Sequence, residues 1–140
     1  MAKSRRQVVR DRAGQRCEYC HLPEHGDVQP FQLDHIRAQK HSGANTLQNS
    51  AWSCLACNSY KGPNVAGYDP ETDRLCVLFD PRRDEWSEHF EWDGAILAGL
   101  TAVARTTISV LRINLPERVS HRRLLMAAGD FDGDESFPAT

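Results

Sequence analysis

FQLDHIRAQKHSGANTLQNSAWS, residues 31–53, decides the fold, because a Cys-x-x-Cys pair stands on either side of it: Cys17 and Cys20 before, Cys54 and Cys57 after. Four thiols in two close pairs hold one tetrahedral Zn²⁺ when folding brings the pairs together, each tight turn giving two ligands. Such a closed site staples structure and leaves no coordination position for substrate. A disulfide or a thioredoxin-like redox motif uses the same spacing, and the presence of two pairs favours zinc over both. The fifth thiol, Cys76, sits in the apolar run LCVLF and reads as an inert buried cysteine.

Outward from this stretch, periodicity and breakers set the elements. PFQLDHI predicts a strand, QKHSGAN a loop and TLQNSAWS a second strand. A short helix follows over about 54–61 and stops at Gly62-Pro63. It puts Cys54, Cys57, Asn58 and Lys61 on one face, at i, i+3, i+4 and i+7. Before the first Cys pair, Val8, Val9 and Arg12 have helical spacing, which predicts a short basic helix ending near Gly14. Beyond the second, RLCVLF and WSEHFEW predict two strands joined at DPRRDE, with Trp86, Phe90 and Trp92 on one face. TAVARTTISVLRIN and PERVSHRRLLMAA predict helices, the second opened by Pro116 and closed by Gly129.

Composition is that of an ordinary globular chain, 40% hydrophobic and 26% charged over 140 residues. No apolar stretch reaches the roughly 18 residues needed to span a bilayer, and the basic start lacks a following apolar run. Both features predict a cytoplasmic protein with reduced thiols and no membrane partner. The net charge of −2 hides a polarity. Residues 1–16 carry Lys3, Arg5, Arg6, Arg10, Arg12 and Arg16 against Asp11 alone, whereas 129–140 hold four acids and no Lys or Arg. Screening over about 10 Å lets a local basic face attract phosphate although the whole chain is acidic.

Asp34-His35, Asn49 and Asn58, framed by the two Cys pairs and followed by Lys61-Gly62, resemble the zinc-containing HNH endonucleases in their HNN variant. The resemblance covers roughly residues 14–64. It implies a ββα-metal core that hydrolyses DNA phosphodiesters to 5′-phosphate and 3′-hydroxyl ends. Water attack on a phosphodiester needs a base and a cation. His35 suits the base, since an unperturbed imidazole titrates near about 6.5 and stays largely neutral at physiological pH. Asp34 and the Asn58 amide oxygen suit a hard catalytic ion, Mg²⁺ or Mn²⁺. Asn49 is expected to brace the loop around His35, as its counterpart does in the family. Adjacent residues of a regular strand face opposite ways, so Asp34 and His35 share a site only if the strand ends, twists or bulges there. Lys61, Arg37, Lys40, Arg5 and Arg6 are the expected phosphate contacts.

These readings combine into an α+β chain: a zinc-stapled HNH core with its basic helix over 1–67, an appended C-terminal hairpin and helices over 68–128, and an acidic, disordered tail over 129–140. The competing function is a non-catalytic zinc-knuckle module that binds nucleic acid or protein on the same fold. One site cuts one strand, so a double-strand break needs a homodimer or two successive nicks by a monomer.

Overall fold

A computed structural model describes residues 2–133; residues 134–140, which hold most of the expected tail, lie outside the described residues. The chain is α+β, built from helices and three separate two-stranded antiparallel hairpins. Helix α1 (Arg5–Arg12) opens on a capping box in which the Ser4 hydroxyl accepts from the Gln7 N–H and the Gln7 side chain accepts from the Ser4 N–H. Strands β1 (Gln32–His35) and β2 (Ser50–Ser53) pair with Asp34 opposite Ala51 and His35 opposite Ser50. Helix α2 (Leu55–Lys61) follows at once, with Cys54 as its N-cap and Gly62, at φ +51°, ending it.

The second predicted strand is shorter than its sequence suggests. The Thr46 hydroxyl accepts from the Asn49 N–H and closes a 3₁₀ turn over Leu47–Asn49, so β2 begins only at Ser50. A local side-chain bond has taken those backbone groups from the ladder. The outer edge of β2 is covered as well. Glu18 exchanges bonds with Trp52, donating its N–H to the Trp52 carbonyl at 2.8 Å and accepting the Trp52 N–H on Oε2 at 2.7 Å. Arg12 donates to the Ser50 carbonyl at 2.7 Å, and Arg82 pairs with Glu18. A strand edge satisfied in this way has no donors left for another chain.

The C-terminal half departs from expectation. RLCVLF supplies β4 (Leu75–Val77), which turns back on β3 (Ala66–Tyr68) and does not meet the Trp86 segment. WSEH is a helical turn, α3 (Trp86–His89), that runs into β5 (Phe90–Asp93); β5 pairs with β6 (Ile96–Gly99) across Gly94-Ala95. Gly94, at φ +60°, gives the tight two-residue connection its positive-φ position. The three aromatics still meet, because one helical turn sets Trp86 over Phe90 (5.1 Å between centroids) and near Trp92 (6.1 Å). Cys76 is half-buried, contrary to the buried reading, since a two-stranded hairpin has one covered face. That face lies on α4 (Ala102–Val110), where a Cβ at Gly67 would come 2.5 Å from Val110 Cγ2.

Helix α5 (Pro116–Ala127) starts on Pro116 as predicted, and Gly129 follows it at φ +77°. Phe131, inside the expected tail, is buried edge-on against Trp92. One apolar cluster runs from Val9 and Tyr19 through Phe31 and Trp52 to Phe79, Phe90, Leu97, Leu111 and Ile113. The expected boundary at 67/68 therefore cuts β3 and passes through a continuous core. Among the described residues no helix is long and apolar enough to cross a membrane.

Candidate metal centre and catalytic loop

Tight turns bring the four cysteines together. His21 takes φ +64° directly after Cys20 and donates its N–H to the Cys17 carbonyl, closing the first knuckle, while the N-cap of α2 presents Cys54 and its first turn Cys57. All four thiols are buried, with sulfurs within 4.8 Å of one another. A tetrahedron with Zn–S bonds of about 2.3 Å sets its sulfurs about 3.8 Å apart. Cys20 Sγ and Cys54 Sγ lie at 3.8 Å. The Cys20 and Cys57 N–H groups also point at sulfur, 3.5 Å from Cys17 Sγ and 3.4 Å from Cys54 Sγ. The donor set and its spacing fit Zn²⁺. The Trp86 ring stacks on His21 at 3.7 Å and its indole N–H donates to the Tyr19 carbonyl, so the C-terminal half covers this knuckle.

At the other end of the ββα unit the pleat separates the two residues of the Asp-His step. Asp34 points inward, 5% exposed, while His35 stays half-buried at the end of β1. The Asp34 carboxylate accepts from the Tyr19 hydroxyl at 2.6 Å and pairs with the Lys61 ammonium at 3.2 Å from one oxygen and 3.3 Å from the other. Burial raises the carboxyl above its usual range, and Lys61 and Tyr19 offset part of that. Burial, then the neighbouring Asp34 charge, holds the Tyr19 hydroxyl well above the ordinary phenol range. Lys61 also donates to the His35 carbonyl at 3.0 Å and is 1% exposed. The expected phosphate-binding lysine is thus an internal cation here. Its helix face carries Asn58 as predicted, but that face turns toward β1.

The His35 ring is held from the loop. Asn45 Oδ1 lies 2.6 Å from His35 Nε2 and also accepts from Gln39 Nε2 at 3.0 Å. An oxygen that accepts from Gln39 requires His35 Nε2 to be the donor, which assigns the ring proton to Nε2 and leaves Nδ1 as the basic nitrogen. Asn49 braces the same loop, accepting from the Arg37 N–H at 2.8 Å and donating to the Arg37 and Ala44 carbonyls at 2.9 Å each. Asn45 and Gln39 carried no sequence signal, being polar residues in a polar loop. Tyr19 was equally silent inside its Cys-x-x-Cys.

The predicted phosphate contacts divide. Arg37 and Lys40 are exposed in the loop. Arg6 instead fastens α1 to the hairpin, donating to the Phe31 carbonyl at 2.9 Å and lying 4.6 Å from the Trp52 ring centroid. Arg5, on the same helix, is half-buried. Asn58 is half-buried on α2.

Two strands between buried cysteine pairs, a helix that carries the second pair and the ring of His35 at the end of the first strand now stand as a geometry. Residues 17–64 match the family model of the HNH endonuclease. No curated protein and no solved structure matches the chain. The matched segment runs from the first of the four cysteines to the turn after α2 and takes in Asp34, His35, Asn49 and Asn58. The family that this segment is similar to is one of endonucleases. Residues 1–16 and 65–140, about two thirds of the chain, lie outside the match.

Proposed function

We propose that the chain is a divalent-metal-dependent endonuclease in which His35 is the general base. The observation that carries this reading is the His35–Asn45 bond, which engages Nε2 of a half-buried imidazole with an amide oxygen and leaves Nδ1 with the lone pair. His35 Nδ1 takes a proton from water, the water oxygen bonds to phosphorus, and the bond from phosphorus to the 3′ oxygen breaks; that oxygen takes a proton from solvent water and leaves as a hydroxyl, and the imidazolium returns its proton to solvent. Asn49 keeps the loop at one height over β1 through its three bonds to loop backbone. Arg37 and Lys40, exposed in the loop that follows β1, supply phosphate contacts that fall off steeply with salt.

Asp34 and Asn58 offer oxygen donors suited to Mg²⁺ or Mn²⁺, an ion that would neutralise charge on the phosphate when bound. Lys61 already supplies a cation to Asp34, so a divalent ion must displace the ammonium to reach the carboxylate.

The decisive experiment is nicking of supercoiled plasmid in a Mg²⁺ and Mn²⁺ series. Wild type is expected to nick, and His35→Ala to lose at least about a hundredfold in rate, the usual contribution of a positioned base. Equal nicking by the two proteins overturns the mechanism. The internal Asp34–Lys61 pair favours one competing reading, a nucleic-acid-binding module that does not cut. That reading wins if no divalent metal supports nicking and Asp34→Ala still retains DNA.

A further inference from the structure

Arg118, on α5 and 54 residues beyond the end of the HNH segment, places Nη2 3.0 Å from Cys57 Sγ and 3.8 Å from Cys54 Sγ. Its other terminal nitrogen, Nη1, donates to the Leu111 carbonyl at 2.7 Å and to the Arg112 carbonyl at 3.2 Å. The guanidinium is therefore a bridge, with one side on the turn that follows α4 and the other on sulfur. Arg122, one turn further along α5, is different. It spends its donors on oxygens, the Ala95 and Ile113 carbonyls and Asn114 Oδ1.

Zn²⁺ with four thiolates leaves a net charge of about −2 in a buried place, and a buried charge is costly unless paired and hydrogen-bonded. Backbone N–H groups at the knuckles carry no formal charge to offset it. A guanidinium on two of the sulfurs does, and it also fixes their direction. We infer that Arg118 is an outer partner of the zinc centre, so that zinc retention depends on the C-terminal half of the chain and not on residues 17–64 alone. The segment that carries the nuclease signature is then incomplete without the extension. Zinc binding and the packing of α5 strengthen each other through this one side chain, because whatever holds the guanidinium in place also holds two ligands.

The test uses the full chain loaded with zinc. Arg118→Gln, Arg118→Lys and, as a control on the exposed side of the same helix, Ser120→Ala are titrated with a chromogenic chelator, and cysteine alkylation is followed site by site. Arg118→Gln is expected to give up zinc about 10- to 100-fold more readily, the usual effect of losing an outer-shell partner. Cys54 and Cys57 should be alkylated before Cys17 and Cys20, with Arg118→Lys intermediate and Ser120→Ala like wild type. General loosening of packing would speed all four thiols together, so site-selective alkylation separates the sulfur bond from mere support. Should Arg118→Gln fail to fold, the cobalt-substituted Arg118→Lys protein decides through its sulfur-to-metal absorption band, expected at lower energy than in wild type. Wild-type zinc retention with uniform alkylation in a folded Arg118→Gln, or an unshifted band in Arg118→Lys, overturns the inference.

Discussion

The two ends of the HNH segment are built on opposite plans. At the four-cysteine end every thiol is buried, the knuckle is roofed by Trp86, and the sulfurs are met by backbone N–H groups and by Arg118. At the loop end His35, Asn45, Gln39 and Asn49 stand exposed or half-buried, and side-chain hydrogen bonds hold them in place of packing. Four strand pairs, a seven-residue helix and the Tyr19–Asp34 bond connect the two. Rigidity is concentrated where no reagent needs to enter, which leaves the other end free to keep polar groups near solvent without losing its shape. Stability and chemistry should therefore separate on mutation, and each prediction below presses on that separation.

The largest effect belongs to the zinc end. Cys57→Ser removes a ligand and the sulfur that receives Arg118. Structural zinc supplies folding free energy of about 10 kcal/mol or more in small zinc modules, so loss of one of four ligands should unfold the segment under conditions where wild type is folded. Zinc content and the circular-dichroism melt should fall together, and nicking with them. A variant that keeps its melting temperature without zinc would mean that the apolar cluster alone holds the segment, and the division of labour would collapse.

Lys61→Met strikes the joint between the ends, since Lys61 ties α2 to Asp34 and to the His35 carbonyl. Removing one member of a buried ion pair typically costs about 3–5 kcal/mol because the other charge is left uncompensated. The sign of the pH dependence follows. Asp34 already sits above its unfolded value, and taking away Lys61 raises it further, so the folded variant binds the Asp34 proton more tightly than the unfolded chain does. The variant's deficit is small in acid, below the unfolded carboxyl value of about 3.9, and widens as pH rises toward 7. Melting curves of both proteins at several pH values measure it. Added Mn²⁺ should recover more stability in the variant than in wild type if a divalent ion can take the vacated place at Asp34, and equal recovery would count against Asp34 as a metal ligand.

Much of the zinc end was legible because its information is short-range. Cys54, Cys57, Asn58 and Lys61 share one helix face by spacing alone, and Gly62-Pro63 ends that helix. The hidden part depended on distance along the chain: nothing near Arg118 or Trp86 in the sequence says that each meets a knuckle about 60 residues away. The direction of Lys61 was missed for a related reason. Helical spacing tells which residues share a face but not what that face packs on, and β1 offered a buried carboxylate. The WSEHFEW strand was misread because aromatics two and four residues apart satisfy a strand period, while α3 brings Trp86 and Phe90 together just as well. DPRRDE then looked like a hairpin turn, although Gly94 was the stronger signal.

The smallest expected change in stability is at Asn45, and it tests the loop end most directly. Asn45 is exposed, so Asn45→Ala should move stability by no more than about 0.5 kcal/mol. Its loss, however, frees His35 Nε2 from the one oxygen that selects its tautomer, and lets the ring turn. Nicking is then expected to fall about ten- to a hundredfold at an unchanged melting temperature, the scale set by a misplaced catalytic group. Asn45→Asp restores an acceptor and adds a negative charge that stabilises imidazolium, so it should recover part of the rate while moving the acidic limb of the pH–rate profile to higher pH. Packing of the loop gives no reason for such a shift. If Asn45→Ala nicks like wild type, the tautomer is set by something other than this bond, and the loop end keeps its shape without the polar framework described for it.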